Sequence, residues 1–208
     1  MNLANFRKTL RTQLAAACNE CLTRVKSELA DQTIYAFTIF ASSGYVTLGV
    51  AVATLESLQK RNASTPADQV QKFVNTMNAS EWQYMNCHHA LFDTVNESID
   101  AYYDCLFDSE FEDHAFRDAV TTAELDEFTN TVFIDAVVSV MQELKDEQCF
   151  VGENFVSDIL FGVQFVNPSK FALDAMERVS AQINSRIWHE KVVQNCSYYK
   201  TGLPSSLP

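Results

Sequence analysis

Hydrophobic residues recur three or four positions apart between residues 3 and 29, which is the spacing of one side of an amphipathic helix. The apolar positions of this stretch are Leu3, Phe6, Leu10, Leu14, Ala17, Cys21 and Val25. Basic residues occupy the opposite side. The pattern predicts a long first helix that turns one side to a core.

The same spacing predicts four further helices. One of them spans roughly residues 92–106, with apolar residues from Phe92 to Leu106 on one side. The starts of the other three are indicated by capping signals, namely Thr65 with Pro66, Thr121 with Glu124, and Asn167 with Pro168. The last helix should keep its apolar side buried as far as Ile187.

Three stretches rich in β-branched and aromatic residues predict strands. "TIYAFTIFA" (33–41) and "YVTLGVAVATL" (45–55) are joined by "SSG", which favours a β-hairpin with Gly44 in the turn. "NFVSDILFGVQFV" (154–166) is the third. Since the first two are apolar on both faces, helices should cover the sheet on both sides.

These elements predict an α+β fold, because helices and strands do not alternate along the chain. The expected architecture is a helix-rich single domain over residues 1–203. Its small sheet is expected to be mainly antiparallel, built from the early β-hairpin plus the late strand, and covered by amphipathic helices. Residues 204–208 are expected to form a flexible tail.

Composition places the chain among globular proteins of the cytoplasm. Of its 208 residues, 47% are hydrophobic and 20% are charged. No apolar run approaches the roughly 20 residues that span a bilayer, and the N-terminus lacks the apolar segment of a signal peptide. Six irregularly spaced cysteines then indicate reduced thiols. Cys18 and Cys21 fit small apolar core residues better than a metal site.

The net charge of −12 is concentrated in one segment. Residues 93–147 hold two Lys/Arg against sixteen Asp/Glu, a balance of −14. Such a surface repels nucleic acid and attracts basic partners. It also fits a solvated helical face that keeps the protein soluble.

Motifs for cofactors and metals are missing. The five glycines form no phosphate-binding loop and no hydrolase elbow. In "SEWQYMNCHHALFD" (80–93), adjacent helical histidines would point about 100° apart and could not share one ion. His89 and Asp93 alone are too few ligands for zinc. The sequence therefore predicts no metal and no cofactor, and it singles out no catalytic group.

The start of this stretch has a local interpretation as well. Ser80 and Gln83 match a capping box, which predicts the entrance of a helix. Trp82 and Tyr84 would then either clamp the loop or anchor a partner.

The order of these features resembles the bacterial domain-of-unknown-function family 4303. The matching residues are Thr54, Glu56, Glu81, Trp82, Tyr84 and Asp158, and the resemblance covers nearly the whole chain. It implies no established activity. By analogy alone, it suggests small proteins that neutralise toxins.

Three functional hypotheses follow, and the third of them is an assembly subunit. The first is a non-enzymatic protein-binding domain, of an immunity type, whose acidic helical face at 93–147 takes a basic protein. Its partner-binding residues would be Asp108, Glu110, Glu112, Asp113, Trp82 and Tyr84. The alternative is an enzyme or small-ligand-binding protein with a site formed by Glu81, Trp82, Tyr84, His89 and Asp158. Neither nucleic acid nor membrane is an expected partner, and the oligomeric state stays open.

Overall fold

A computed structural model describes residues 3–42, 45–64, 68–106 and 122–202. Four strands form one sheet in the order β3-β2-β1-β4. They are β1 (Ile34–Ala41), β2 (Leu48–Thr54), β3 (Tyr84–Cys87) and β4 (Phe155–Phe165). The three predicted strands are confirmed, and β3 is an addition. Gly44 and the predicted tail at 204–208 lie outside the described residues.

The sheet is mainly antiparallel, as predicted, because two of its three strand pairs, β1 with β2 and β2 with β3, are antiparallel. The third pair makes it a mixed sheet. β1 pairs with β2 in antiparallel fashion, but it runs parallel to β4, from Ile34 beside Phe155 to Ala41 beside Phe165. A parallel neighbour requires a long crossover connection. The chain between residues 41 and 155 provides it, so both strands enter the sheet from the same end.

Seven α-helices in the described ranges surround this sheet. Their bounds are α1 (Leu3–Glu28), α2 (Leu55–Ser64), α3 (Gln69–Met77), α4 (Asp93–Leu106), α5 (Ile134–Asp146), α6 (Lys170–Ile183) and α7 (Arg186–Thr201). A helical turn at 122–127 and a π-helical segment, Phe128–Phe133, lead into α5. Every residue of β2 is buried, as its two apolar faces predict.

An aromatic cluster fills the core where α1, α4 and the π-helical segment meet. Phe6 stacks on Tyr102 with ring centroids 4.2 Å apart, and Phe128 touches both rings. Tyr45 connects this cluster to the sheet, because its ring lies 5.0 Å from that of Phe165. The helical spacing that predicts α1 and α4 therefore points both helices at one core.

Two helices begin later than their capping signals predict. α3 begins at Gln69, where the side chain of Asp68 accepts a hydrogen bond from the Gln71 N–H. α6 begins after Ser169, which caps the Ala172 N–H. Thr65 and Pro66 lie outside the described residues. In both places the capping side chain accepts a hydrogen bond from the N–H of the third helical residue.

The predicted last helix is in fact two helices, and the residues expected on its buried side change accordingly. α6 ends at Ile183, and α7 starts at Arg186 with Ser185 as its cap. The helix is interrupted there because the side chain of Asn184 forms hydrogen bonds with the backbone of β4. Ile187, expected inside, is consequently 62% exposed.

No helix in the described part of the chain combines the length and the apolar character needed to cross a membrane.

Candidate functional site

A cleft of about 320 Å³ opens between α2, α3 and the segment 79–83. Two residues of the predicted ligand site, Glu81 and Trp82, lie in its wall. They are held there by a 3-10 turn, Ala79–Glu81, which Asn78 caps by accepting from the Ser80 N–H. The helix entrance predicted from Ser80 and Gln83 is therefore wrong: a single turn forms and the chain then enters β3.

The guanidinium of Arg61 lines the cleft and is held there by two partners. Arg61 on α2 forms an ion pair with Glu81, and its Nε donates to Asn75 Oδ1 at 3.4 Å. Asn75 is buried, accepts from Gln71 Nε2 at 2.9 Å and donates to Asn62 Oδ1 at 2.8 Å. These bonds fix the amide, so Arg61 is held between an oriented acceptor and a carboxylate.

Three aromatic rings pack together next to this ion pair, and two of them, Tyr35 and Trp82, form the aromatic wall of the cleft. Tyr35 contacts Trp82 edge to face and stacks on Trp188, with ring centroids 6.3 Å apart in both pairs. The Tyr35 hydroxyl and the Trp82 indole N–H both donate to the carbonyl of Thr76, at 3.1 and 3.2 Å. Burial raises the pKa of Tyr35, so this hydroxyl stays protonated. Trp82 is only 7% exposed and packs inside the protein.

Tyr84 is the first residue of β3, two positions after Trp82, and lies at the end of the sheet near the cleft. Its hydroxyl accepts from Gln32 Nε2 at 2.7 Å, and Gln32 Oε1 accepts from the Thr54 hydroxyl at 2.8 Å. Glu56 follows at the start of α2 and binds the N–H and the hydroxyl of Thr33, at 2.8 and 3.0 Å. Two residues of the family pattern, Thr54 and Tyr84, are thus connected through Gln32, and a third, Glu56, binds Thr33.

Asp158 and His89 do not line the cleft. Asp158 borders a separate hollow of about 230 Å³, where its carboxylate accepts from the Ser185 hydroxyl at 2.7 Å. Its carbonyl accepts from the indole N–H of Trp188 at 2.9 Å, which connects it to the aromatic wall. His89 is exposed on a 3-10 turn. The structure therefore brings Glu81 and Trp82 together and leaves the other two residues apart from them.

A second candidate surface is the outer side of α4. Asp93, Glu97, Asp100 and Asp104 follow one another at helical spacing and are all exposed, and we call them the acidic stripe. The opposite side of α4 is buried through Val95, Ile99, Tyr102 and Tyr103. Among the described residues, no Lys, Arg or His forms an ion pair with the stripe.

The predicted partner-binding carboxylates Asp108, Glu110, Glu112 and Asp113 lie outside the described residues. Within the described ranges, one ion pair involves the segment 93–147, that of Arg11 with Glu143 at 3.2 Å. The described part of the segment is thus acidic with little internal neutralisation.

Metal ligands do not converge in the described part of the molecule, where no group of three or more His, Cys, Asp or Glu could hold an ion. His88, and not His89, has a carboxylate partner, with its Nε2 3.0 Å from Glu28 Oε2. Cys18 and Cys21 are buried in the core, as predicted.

Sequence reasoning missed Arg61 and Asn75. Lys60 and Arg61 are the only basic residues between positions 27 and 71, and this isolation could have marked Arg61 as a candidate site residue. No comparable signal exists for Asn75, because a buried asparagine and a surface asparagine look alike in a helical pattern.

The fold and these surfaces define a helix-covered α+β domain with a mixed four-stranded sheet. The chain belongs to the family described as domain of unknown function DUF4303, whose model matches residues 14–181. Comparison with curated proteins and with solved structures finds no match.

Proposed function

We propose that the chain is a cytoplasmic, non-enzymatic protein-binding domain that captures a basic protein on its acidic face at residues 93–147. The acidic stripe on α4 is the observation that supports this proposal. A cationic toxin, held as immunity-type proteins hold theirs, is the kind of partner this surface suits.

The physical argument rests on the stripe's charge and rigidity. Four carboxylates lie in one row on a helix whose other side is buried, so they present a fixed array to solvent. Complementary charge of this kind accelerates the encounter between proteins and favours one orientation of the partner. Salt at about 0.5 M weakens the attraction, since the screening length falls from about 10 Å at 0.1 M to a few ångströms.

The first test uses pull-downs from lysate of the native host, compared between two matched variants. Glu97→Lys with Asp100→Lys reverses two of the four stripe carboxylates and so cancels the stripe's charge, and Asp31→Lys with Glu153→Lys reverses two exposed carboxylates elsewhere. Both change the net charge from −12 to −8. We expect a basic protein to be held by wild type and by the control variant at about 0.1 M salt, and to be lost at about 0.5 M.

With that protein purified, the stripe variant should associate at least several-fold more slowly than the control variant. Equal association rates for the two variants, or a captured partner whose binding ignores salt, would contradict the proposal.

A small-ligand site in the cleft is the second candidate function. The observation that favours it is the fixed guanidinium of Arg61, which an anionic ligand could take over from Glu81. The aromatic wall would contact the rest of such a molecule.

A thermal-shift screen of small carboxylates and phosphate esters tests this second candidate. At least one compound should raise the melting temperature of wild type and of Lys72→Gln, a control on the exposed side of α3. Arg61→Gln should lose that response. A panel without effect, or an equal response in Arg61→Gln, would rule out this use of the cleft. An enzyme at this site would also lose activity in Glu81→Gln while keeping its stability.

A further inference from the structure

Two thiols from distant parts of the chain meet behind the edge strand β3. Cys21 lies on α1 and Cys87 ends β3, 66 residues further along. Their sulfur atoms are 3.9 Å apart, at hydrogen-bond distance for thiols. A disulfide would need them about 1.9 Å closer, since its S–S bond is about 2.0 Å long.

The two sulfurs differ in access and in acidity. Cys21 is fully buried, whereas Cys87 is half-buried. The hydrogen bond from Cys21 lowers the pKa of Cys87 and outweighs the opposing effect of burial. The same hydrogen bond, together with burial, raises the pKa of Cys21. Cys87 is thus the more acidic and the more accessible of the two thiols, and Cys21 lies behind it.

Cys87 lies on a short, irregular edge strand, which can move to bring the two sulfur atoms together. Asn86 and His88, on either side of it, both have left-handed φ values, 53° and 52°. β3 has a neighbour on one side only, and its pairing with β2 is irregular between Val50 and Val52. A shift of β3 toward α1 therefore disturbs one short ladder.

We propose that Cys87 and Cys21 are an oxidation site, in which a peroxide converts the two thiols into a disulfide that joins β3 to α1. The Cys87 thiolate attacks one oxygen of the peroxide and the O–O bond breaks. With hydrogen peroxide this gives a sulfenic acid and a hydroxide, which takes up a proton to become water. The sulfur of Cys21 then attacks that of Cys87, the S–O bond breaks, and the hydroxyl leaves with the Cys21 proton as water. Two thiols lose two electrons and one peroxide becomes two waters.

The test treats the reduced full-length chain with hydrogen peroxide, alkylates the remaining thiols with iodoacetamide and measures the intact mass. The expected product has lost two hydrogens and carries alkyl groups on four of its six cysteines. Trypsin leaves Cys18 with Cys21 in peptide 12–24, and Cys87 with Cys105 in peptide 73–117. Fragmentation of the cross-linked pair must therefore place the bond between Cys21 and Cys87.

Cys149 is the matched control, because it is also half-buried but burial and nearby Glu147 raise its pKa. Cys149→Ser should form the same disulfide as wild type. Cys21→Ser should instead trap a sulfenic acid at Cys87, detected as a dimedone adduct. A first cross-link between any other two cysteines, or oxidation of Cys149 before Cys87, would overturn the proposal. Mapping the cross-link in wild type decides the question even if Cys21→Ser does not fold.

Discussion

The side chain of Asn184 takes the place of a further strand at the free edge of β4. Its Oδ1 accepts from the N–H of Phe161 and its Nδ2 donates to the carbonyl of the same residue, both at 2.8 Å. On the other side of the sheet, Asn96 pairs in the same way with Leu48, at 2.8 and 3.2 Å. Each carboxamide satisfies one N–H and one carbonyl that the helices would otherwise shield from water.

Asn184→Ala should lower the free energy of unfolding by about 2–3 kcal/mol, because two hydrogen bonds to Phe161 and one to Ser180 Oγ, of about 1 kcal/mol each, are lost. Urea unfolding measures this. Asn19→Ala, at an exposed position on α1, is the control and should stay within about 0.5 kcal/mol of wild type. Equal midpoints for the two variants would show that the carboxamide does not stabilise β4.

Glu56 gives the protein a pH-dependent contact. Burial acts to raise the pKa of its carboxyl, but the N–H groups of Thr33 and of Glu56 itself, with the Thr33 hydroxyl, together lower it. A lowered pKa in the folded state stabilises the fold above the unfolded value of about 4.3, and this contribution is lost as the pH falls through the folded value.

Glu56→Gln should therefore destabilise the protein at pH 7 by up to about 1 kcal/mol, a value reduced by solvent screening at this exposed position. The difference from wild type should shrink as the pH falls below the unfolded value of about 4.3. Urea unfolding at pH 7, 5 and 3.5 checks the trend, with Glu153→Gln as an exposed control. A difference that persists unchanged at low pH would contradict an ionic contact.

The long elements were predictable from the sequence and the short ones were not. α1 and α4 repeat their apolar positions over several turns, and β1 and β2 are apolar on both faces, so periodicity identifies them. β3 has four residues and an irregular pairing, which leaves too little pattern to detect. The break between α6 and α7 is hidden because Ile187 continues the apolar spacing past Asn184.

The candidate site was predictable only in the residues that the family pattern names. Glu81 and Trp82 belong to that pattern, and the structure places both at the cleft. Arg61 and Asn75 reach the same place through the packing of α2 on α3, a tertiary contact that no local spacing encodes. The acidic stripe is the opposite case, since helical spacing alone places its four carboxylates on one side of α4.

At the scale of the whole molecule, the two candidate surfaces are built from different elements. α1, which carries Arg7, Lys8 and Arg11, packs against α4 and α5, the helices of the acidic segment. The cleft is lined by residues of other elements, among them Lys60, Arg61 and Glu81. A cationic protein and a small anion would therefore approach the molecule at different places, and the two proposed functions can be tested independently.

The parallel pairing of β1 with β4 also sets an order of events during synthesis. β1 ends at Ala41 and its parallel neighbour, β4, begins only at Phe155, 114 residues later. At about 5–20 residues per second, a ribosome needs roughly 6–23 s to make that stretch. Until then the nascent chain carries an apolar hairpin with one open edge, the kind of intermediate that chaperones bind. β1, an inner strand of the finished sheet, is among the first parts of the protein to be made and among the last to be enclosed.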